Sequence, residues 1–448
     1  MDVPYWVDKA VAVDYLIRAE TVAGFSMKEN ASSSLQHADP AVASLIDAER
    51  ERQESTLNLI AAENTAPAAV LEALGSCFNN KTAEGYPGRR YHTGCGVADE
   101  LEKLAVDRAK ALFGAGHANV QPHSGVNANL AVYGAVLKPG DTILSMKLSH
   151  GGHLSHGDAA SITGRIFRAA HYGVSPGTER LDYDAIREQA LRLRPRMLVA
   201  GASSYPRLID YPALRAIADE VSAYLLVDMA HIAGLVAARA IPSPVPHAHF
   251  VTFTTYKTLM GPHGGVILCP AEFARQIDRS VFPGTQGTPT LSLVAAKAVC
   301  FHRAAQEEFR TVQARTLKTA ALLAAELSRR GYRPVSGGTD NHLVLIDLRG
   351  KGLTGDRAEA ALEAAGILGN RNVIPFDPES TQVTSGLRFG TPGICTRGMG
   401  EEETRHIAGW IDRILSKPDD RSVQQAVRRE VRGLCRRFPL QPNREEVA

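Results

Sequence analysis

The chain has 448 residues, 44% of them hydrophobic and 22% charged, with a formal net charge of +2. That length and apolar content suit a large and a small domain with real cores, and near-neutrality leaves no electrostatic case for nucleic acid or an anionic membrane surface. The six cysteines (77, 95, 269, 300, 395 and 435) are scattered without a CxxC, which speaks against a thiolate metal site or a disulfide framework. No apolar run approaches a membrane span and no signal-peptide core opens the chain, so a soluble cytoplasmic protein is expected.

Residues 1–36 read as an N-terminal extension. Trp6, Val11, Val13, Tyr15, Leu16 and Ile17 could form a short amphipathic helix, residues 29–34 read as linker, and Met27 is a candidate true start. An arm is expected over 37–85, with a helix from Pro40 carrying Val42, Leu45, Ile46 and Ala48 on one face and a second through Val70, Leu71 and Leu74. Residues 85–94 hold too much Gly and Pro for anything but loop. Asp99 is then expected to cap a long helix with Leu101, Leu104, Ala105, Ala109 and Leu112 at helical spacing.

From there strands and helices alternate. Strands are expected at 119–121, 142–144, 197–200, 224–227 and 249–253, with helices near 126–137 and 212–222. This order predicts an α/β large domain (86–310) built on a mostly parallel sheet, with sites at the carboxyl ends of its strands. A helical stretch over about 290–330 leads to a smaller α+β domain (311–448), with strands near 341–346 and 386–390 and a helix near 355–366.

Two strand ends carry the chemistry. Lys257 stands at a strand-to-loop corner, where nearby buried groups can depress its pKa and make the amine nucleophilic. Asp228 ends the preceding strand with His231 following, and an acid so placed suits a pyridinium nitrogen. A Schiff-base lysine with a strand-end acid is the pattern of pyridoxal phosphate (PLP) enzymes. Gln121-Pro122-His123-Ser124-Gly125 places Ser124 and Gly125 between a strand and a helix start, a cup for phosphate. His150, His153 and His156 could be read as a metal cluster, but no nearby carboxylate or thiol completes the set; no metal is expected, and one imidazole stacked on a heteroaromatic ring is the better use.

These residues carry a resemblance over about 38–436. Ala83-Glu84-Gly85-Tyr86-Pro87-Gly88, His123-Ser124-Gly125, His150-Gly151-Gly152-His153-Leu154, Val227-Asp228-Met229-Ala230-His231, Ser336-Gly337-Gly338-Thr339-Asp340-Asn341-His342 and Ser385-Gly386-Leu387-Arg388-Phe389-Gly390 all match, and the chain resembles the serine hydroxymethyltransferases. The resemblance implies a fold-type I PLP enzyme with a seven-stranded-type sheet, tetrahydrofolate as co-substrate, and a homodimer whose active site is shared between subunits. It also implies roles. Lys257 would hold the cofactor as a Schiff base, Asp228 would keep the ring nitrogen protonated, and His153 would stack on the ring. Ser203 and His231 would sit near the phenolic oxygen, with Ser124, Gly125, Tyr256 and, from the partner, Gly287 and Thr288 completing the cofactor set. Arg388 would clamp the substrate carboxylate and Glu84 would move the proton at the hydroxymethyl group, with Thr82, Tyr91 and His92 beside the substrate. Tyr91, Leu148, Gly152, Leu154 and Asn372 match the pteridine positions.

The chain also departs from the family pattern. Thr82 and His92 stand where tyrosines are usual, Ala62 and Val126 where serines are, Thr288 replaces a glycine, Tyr256 a histidine and His263 an arginine. Threonine at 82 vacates volume beside the substrate α-carbon. The acceptor expected from this is alanine, in particular its D-isomer, giving α-methylserine. The alternatives are ordinary glycine–serine exchange, or a threonine-type transaldolase or aldolase of specialised metabolism that takes an aldehyde instead of folate.

Overall fold

A computed structural model describes residues 34–440; the helix expected around 6–17 and the candidate start at Met27 lie outside the described residues. The described residues fall into two units, with the division between Arg52 and Gln53. In the first, helix Ser34–Ala38 is followed by most of helix Pro40–Ser55. The Asp39 carboxylate accepts from the Val42 amide at 3.1 Å, and Pro40 occupies a position whose missing N–H costs nothing. Of the expected apolar face, Val42, Leu45 and Ile46 remain exposed.

The second unit is organised by a seven-stranded sheet. Its strands are β1 (His117–Asn119), β2 (Thr142–Met146), β3 (Arg168–Tyr172), β4 (Met197–Ala200), β5 (Tyr224–Asp228), β6 (Phe250–Thr254) and β7 (Gly265–Cys269). They lie in the order β1-β7-β6-β5-β4-β2-β3. The pairings β2–β3, β2–β4, β4–β5 and β5–β6 are parallel, and β7 runs antiparallel to both neighbours. The mostly parallel α/β sheet expected from the element order is therefore present. Leu225, Val227, Val251 and Phe253 pack into one buried cluster and Leu226, Phe250 and Ile267 into another, the alternation of a strand covered on both faces.

β3 and β7 were not anticipated. β7 begins at the Gly264-Gly265 pair that reads as open loop. A Cβ at Gly265 would lie 2.2 Å from the Ser124 carbonyl oxygen, so the glycine lets this strand pass against the Ser124 turn. The smaller sheet has β8 (Arg333–Pro334), β9 (Leu343–Asp347), β10 (Asn370–Asn372) and β11 (Gly386–Gly390) in the order β8-β9-β11-β10, all antiparallel. Its core gathers Val344, Ile346, Leu387 and Phe389 with Ile407, Ile411, Val427 and Val431 from the last two helices. The border expected at 310 falls within helix Glu307–Arg329, whose Phe309 packs in the large core and whose Ala320, Leu323 and Leu327 pack in the small one.

Two local expectations need correction. Residues 85–94 are not all loop: Gly85–Tyr86 and Arg89–Arg90 pair as a tight antiparallel hairpin. Asp99 does not cap its helix, which starts at Gly96 with Cys95 at the N-cap. Its carboxylate instead accepts from the Gly88 amide at 2.7 Å and Arg90 Nε at 2.8 Å. A buried guanidinium has recruited the acid that the pattern reserves for a cap.

Candidate active site

The carboxyl ends of β2, β4, β5 and β6, with the segment after β1, surround a cavity of about 200 Å³. Ser124, Gly125, His153, Ser203, Asp228, His231, Tyr256 and Lys257 line it, as do Val126, Asn129, His156, Thr254 and His263. Open parallel sheets place sites along this edge because the strand-to-helix turns end there with backbone groups still available.

Lys257 is 7% exposed. Burial lowers its pKa to about 8, opposed by Asp228 and assisted by Arg388. Asn64 Nδ2 donates to its carbonyl oxygen at 3.2 Å, so the Glu63-Asn64 segment braces the corner that carries the amine. Asp228 ends β5. Burial pushes its carboxyl up, but the His156 hydrogen bond and charge, His153 and Asn129 together hold it well below the usual carboxylate range. His156 Nε2 lies 3.1 Å from Asp228 Oδ2, and Asn129 Nδ2 donates to the same oxygen at 2.9 Å. Thr252 Oγ1 in turn donates to Asn129 Oδ1 at 2.6 Å. An acid held ionised in a nearly dry site keeps an adjacent ring nitrogen protonated.

His153 follows a tight turn in which a Cβ at Gly152 would meet the Met146 carbonyl oxygen at 2.2 Å. Its Nδ1 is 2.8 Å from Ser155 Oγ, and burial lowers its pKa to about 4, leaving a neutral ring. Ser203 Oγ donates to the Gly152 carbonyl at 2.7 Å, tying the β4 turn to the β2 turn. The Ser124 side chain caps helix Gly125–Val136 by accepting from the Asn127 amide at 3.2 Å, so the helix begins at the cavity wall with its positive dipole end. Nδ1 of the buried His231 has no hydrogen-bond partner among the described residues. Tyr256 and His263 stack face to face, ring centres 3.9 Å apart and planes 12° from parallel.

Arg388, on β11, borders this set. Its Nη1 donates to the Ser203 carbonyl at 2.5 Å and its Nε to Asn370 Oδ1 at 3.1 Å. The remaining predicted residues fall elsewhere. Thr82, Glu84, Tyr91 and His92 belong to the hairpin loop, outside the cavity wall, and this loop meets Gly287 and Thr288 through Glu84 and Ala83. The Ala83 amide donates to Thr288 Oγ1 at 2.9 Å, and a Cβ at Gly287 would lie 3.6 Å from Glu84 Oε1. Tyr91 is 77% exposed. Leu148 and Leu154 are exposed on the turns flanking Gly152, and Asn372 is half-buried at the end of β10. The three histidines of the His150–His156 segment each have a protein partner: His150 Nδ1 accepts from the Val174 amide, His153 meets Ser155, and His156 meets Asp228.

The serine hydroxymethyltransferase family model matches residues 35–411. A serine hydroxymethyltransferase of Nostoc punctiforme is 54% identical over 421 residues, covering 94% of this chain and 98% of its own. One from a second Nostoc strain is 53% identical over 420 residues with the same coverage. The chain belongs to the serine hydroxymethyltransferase family. It is therefore a PLP-dependent one-carbon transferase of the fold-type I class, with tetrahydrofolate as co-substrate. Members of this family need a site that takes a phosphorylated pyridine aldehyde, and these residues fit it. The helix start offers donors to phosphate, Asp228 is an ionised acid, the His153 ring is flat and uncharged, and Lys257 is an amine of depressed pKa. Sequence reasoning missed Asn129 and the role of His156. Asn129 could have been found four residues along the helix from Gly125, one turn on and so on the same face.

Proposed function

We propose that this serine hydroxymethyltransferase exchanges the hydroxymethyl group of serine with glycine, tetrahydrofolate carrying the carbon. The observation that supports it most is the buried Lys257 amine sharing one cavity with the ionised Asp228, in a chain alike over nearly its whole length to relatives that carry this name. When bound, PLP supplies a sink for the electron pair left at the amino acid's α-carbon. Lys257 supplies the amine that holds the cofactor and yields it to the substrate. Asp228, fixed by His156 and Asn129, keeps the proton on the ring nitrogen. His153 gives the ring a flat face, and Arg388 offers its planar fork to the substrate carboxylate. Leu148, Gly152, Leu154 and Asn372 form the folate-side surface.

The Glu84 loop stands apart from the cavity of its own chain, together with Gly287 and Thr288. This supports a homodimer in which a second copy brings Glu84, Thr82, Tyr91 and His92 over the cavity, where Glu84 transfers the proton at the hydroxymethyl oxygen. A second reading rests on Thr82: its short side chain leaves room for an α-methyl group, so alanine would be accepted and α-methylserine formed. The test follows product formation from glycine and from each alanine enantiomer with 5,10-methylenetetrahydrofolate as the carbon donor, and aldehyde release from threonine when folate is left out. Glycine as the fastest acceptor, dependent on folate, supports the main reading. Faster D-alanine turnover replaces it with the second, and folate-independent aldehyde release refutes both.

A further inference from the structure

Lys297 is fully buried in helix Leu291–Ala304, among Val294, Ala296, Ala298 and Phe301. Its ammonium group makes three hydrogen bonds, all to backbone carbonyls: Val120 at 2.7 Å, Pro122 at 2.9 Å and Gly265 at 2.8 Å. Three acceptors around one amine use all three N–H donors of the charged form. No carboxylate of the described residues forms an ion pair with it; burial lowers its pKa and Glu102 opposes that, while three carbonyl acceptors around one nitrogen favour the protonated form, since a neutral amine would turn its lone pair on one of them.

The carbonyls it gathers belong to the frame of the cofactor site. Val120 and Pro122 flank Gln121 and lead directly into His123, Ser124 and Gly125. Gly265 opens β7, pairs with Thr254, and donates its own amide to the Pro122 carbonyl at 3.0 Å. Gln286 completes the brace: its Oε1 accepts from the His123 amide at 3.0 Å, and its Nε2 donates to the Gln121 carbonyl at 3.1 Å. A Cβ at Gly264 would fall 2.5 Å from Lys297 Cε, so the β6–β7 connection is closed down onto this side chain.

We infer that Lys297 is a positioning residue for the cofactor phosphate: its buried positive charge pins the carbonyls of the Ser124 turn away from the cavity, keeping the turn's amides and the helix start directed at the dianion. A carbonyl turned inward would repel phosphate, and an amide turned outward would lose it. The charge also adds to the dipole of helix Gly125–Val136 from behind, inside a medium that screens it poorly. Lys297 touches neither cofactor nor substrate. Its effect falls on the phosphate end alone, since the ring end is held by Asp228 at the end of β5 and His153 in the turn after β2.

The inference rests on the reading that Ser124 and Gly125 hold phosphate, and the experiment separates the two. The full-length chain, freed of cofactor, is titrated with pyridoxal 5′-phosphate and with pyridoxal, which lacks the phosphate, following absorbance of the bound aldehyde. Wild type should prefer the phosphorylated form strongly; without that preference the phosphate cup itself is misassigned. In Lys297→Met the affinity for pyridoxal 5′-phosphate should fall at least about tenfold, the equivalent of one charge-assisted hydrogen bond, with pyridoxal affinity unchanged. Lys297→Arg, which keeps the charge, should retain more of the preference than Lys297→Met. Equal losses for both ligands would show a general packing role and overturn the inference, as would no loss for either. If Lys297→Met does not fold, Lys297→Gln, neutral but hydrogen-bonding, takes its place with the same expected and overturning results.

Discussion

Arg388 offers the sharpest separation of function from structure, because its guanidinium is poorly satisfied by its own protein. Of its five N–H donors, the Asn370 side chain and the Ser203 carbonyl engage two, and no carboxylate of the described residues pairs with it. Burial lowers its pKa from 12.5 to about 10, which disfavours the charged form by roughly 2–3 kcal/mol once its residual solvent contact is allowed for. A substrate carboxylate would offset that cost. The substitution Arg388→Met should therefore weaken glycine or serine binding by about 1.5–3 kcal/mol, roughly tenfold to 150-fold. The same change should leave stability in urea unchanged or raised. Spectral titration of the holoenzyme with amino acid and urea unfolding of the same preparation measure the two sides. A variant that loses stability while binding amino acid normally would make Arg388 a structural strut and refute the reasoning. Arg388→Lys keeps the charge but not the fork, and should fall between wild type and Arg388→Met in affinity.

Lys257, with its pKa lowered to about 8, must lose a proton before its amine can attack an aldehyde. Cofactor capture by the cofactor-free chain should accelerate about tenfold per pH unit below pH 8 and level off above it; a rise continuing past pH 10 would contradict the assigned shift. Borohydride reduction of the holoenzyme should label Lys257, and Lys257→Ala should take no label. Thr82→Tyr should shift acceptor preference from alanine toward glycine by about 1–3 kcal/mol in kcat/KM ratio, and an unchanged ratio would remove Thr82 from the specificity argument. Arg90, its side chain 3% exposed, pairs with Glu102 and Asp99 and donates to the carbonyls of Ala83 and Gly85 on either side of Glu84. Arg90→Leu leaves Glu102 buried without its cation, so about 3–5 kcal/mol of stability should be lost in urea unfolding; a loss below 1 kcal/mol would mean the pair is not buried in solution.

The sheet was legible because buried parallel strands read as short apolar runs between helices, and Lys257 and Asp228 because their chemistry demands particular residue types at strand ends. What holds those residues was not. The partners of Asp228 come from helix Gly125–Val136 and from the turn after β2, 99 and 72 residues away, and no local pattern links such distances. Lys297 sits in an otherwise apolar helix stripe. One cation there reads as a solvated face, and only the three carbonyls brought together by the fold reveal otherwise.

The departures from the family pattern also change weight once they are seen in space. Seven substitutions around one ligand look like seven independent events, and that number is what makes a changed acceptor attractive. Tyr256 and His263, however, stack on each other, so the two altered side chains share one contact and count as one coupled change. Thr288 uses its hydroxyl to accept from the Ala83 amide, which anchors the Thr82 loop and ties that substitution to its neighbour. Val126 lines the cavity at the helix start, where it bears on the phosphate end and not on the α-carbon. The case for a quaternary α-carbon therefore narrows to Thr82 and His92 and, more weakly, Ala62. A single vacated ring enlarges a pocket without rejecting the smaller substrate, since removing a wall costs glycine little binding while admitting a methyl group. For that reason glycine–serine exchange stands as the main reading, and alanine acceptance, if measured, would come as an added activity with glycine turnover retained.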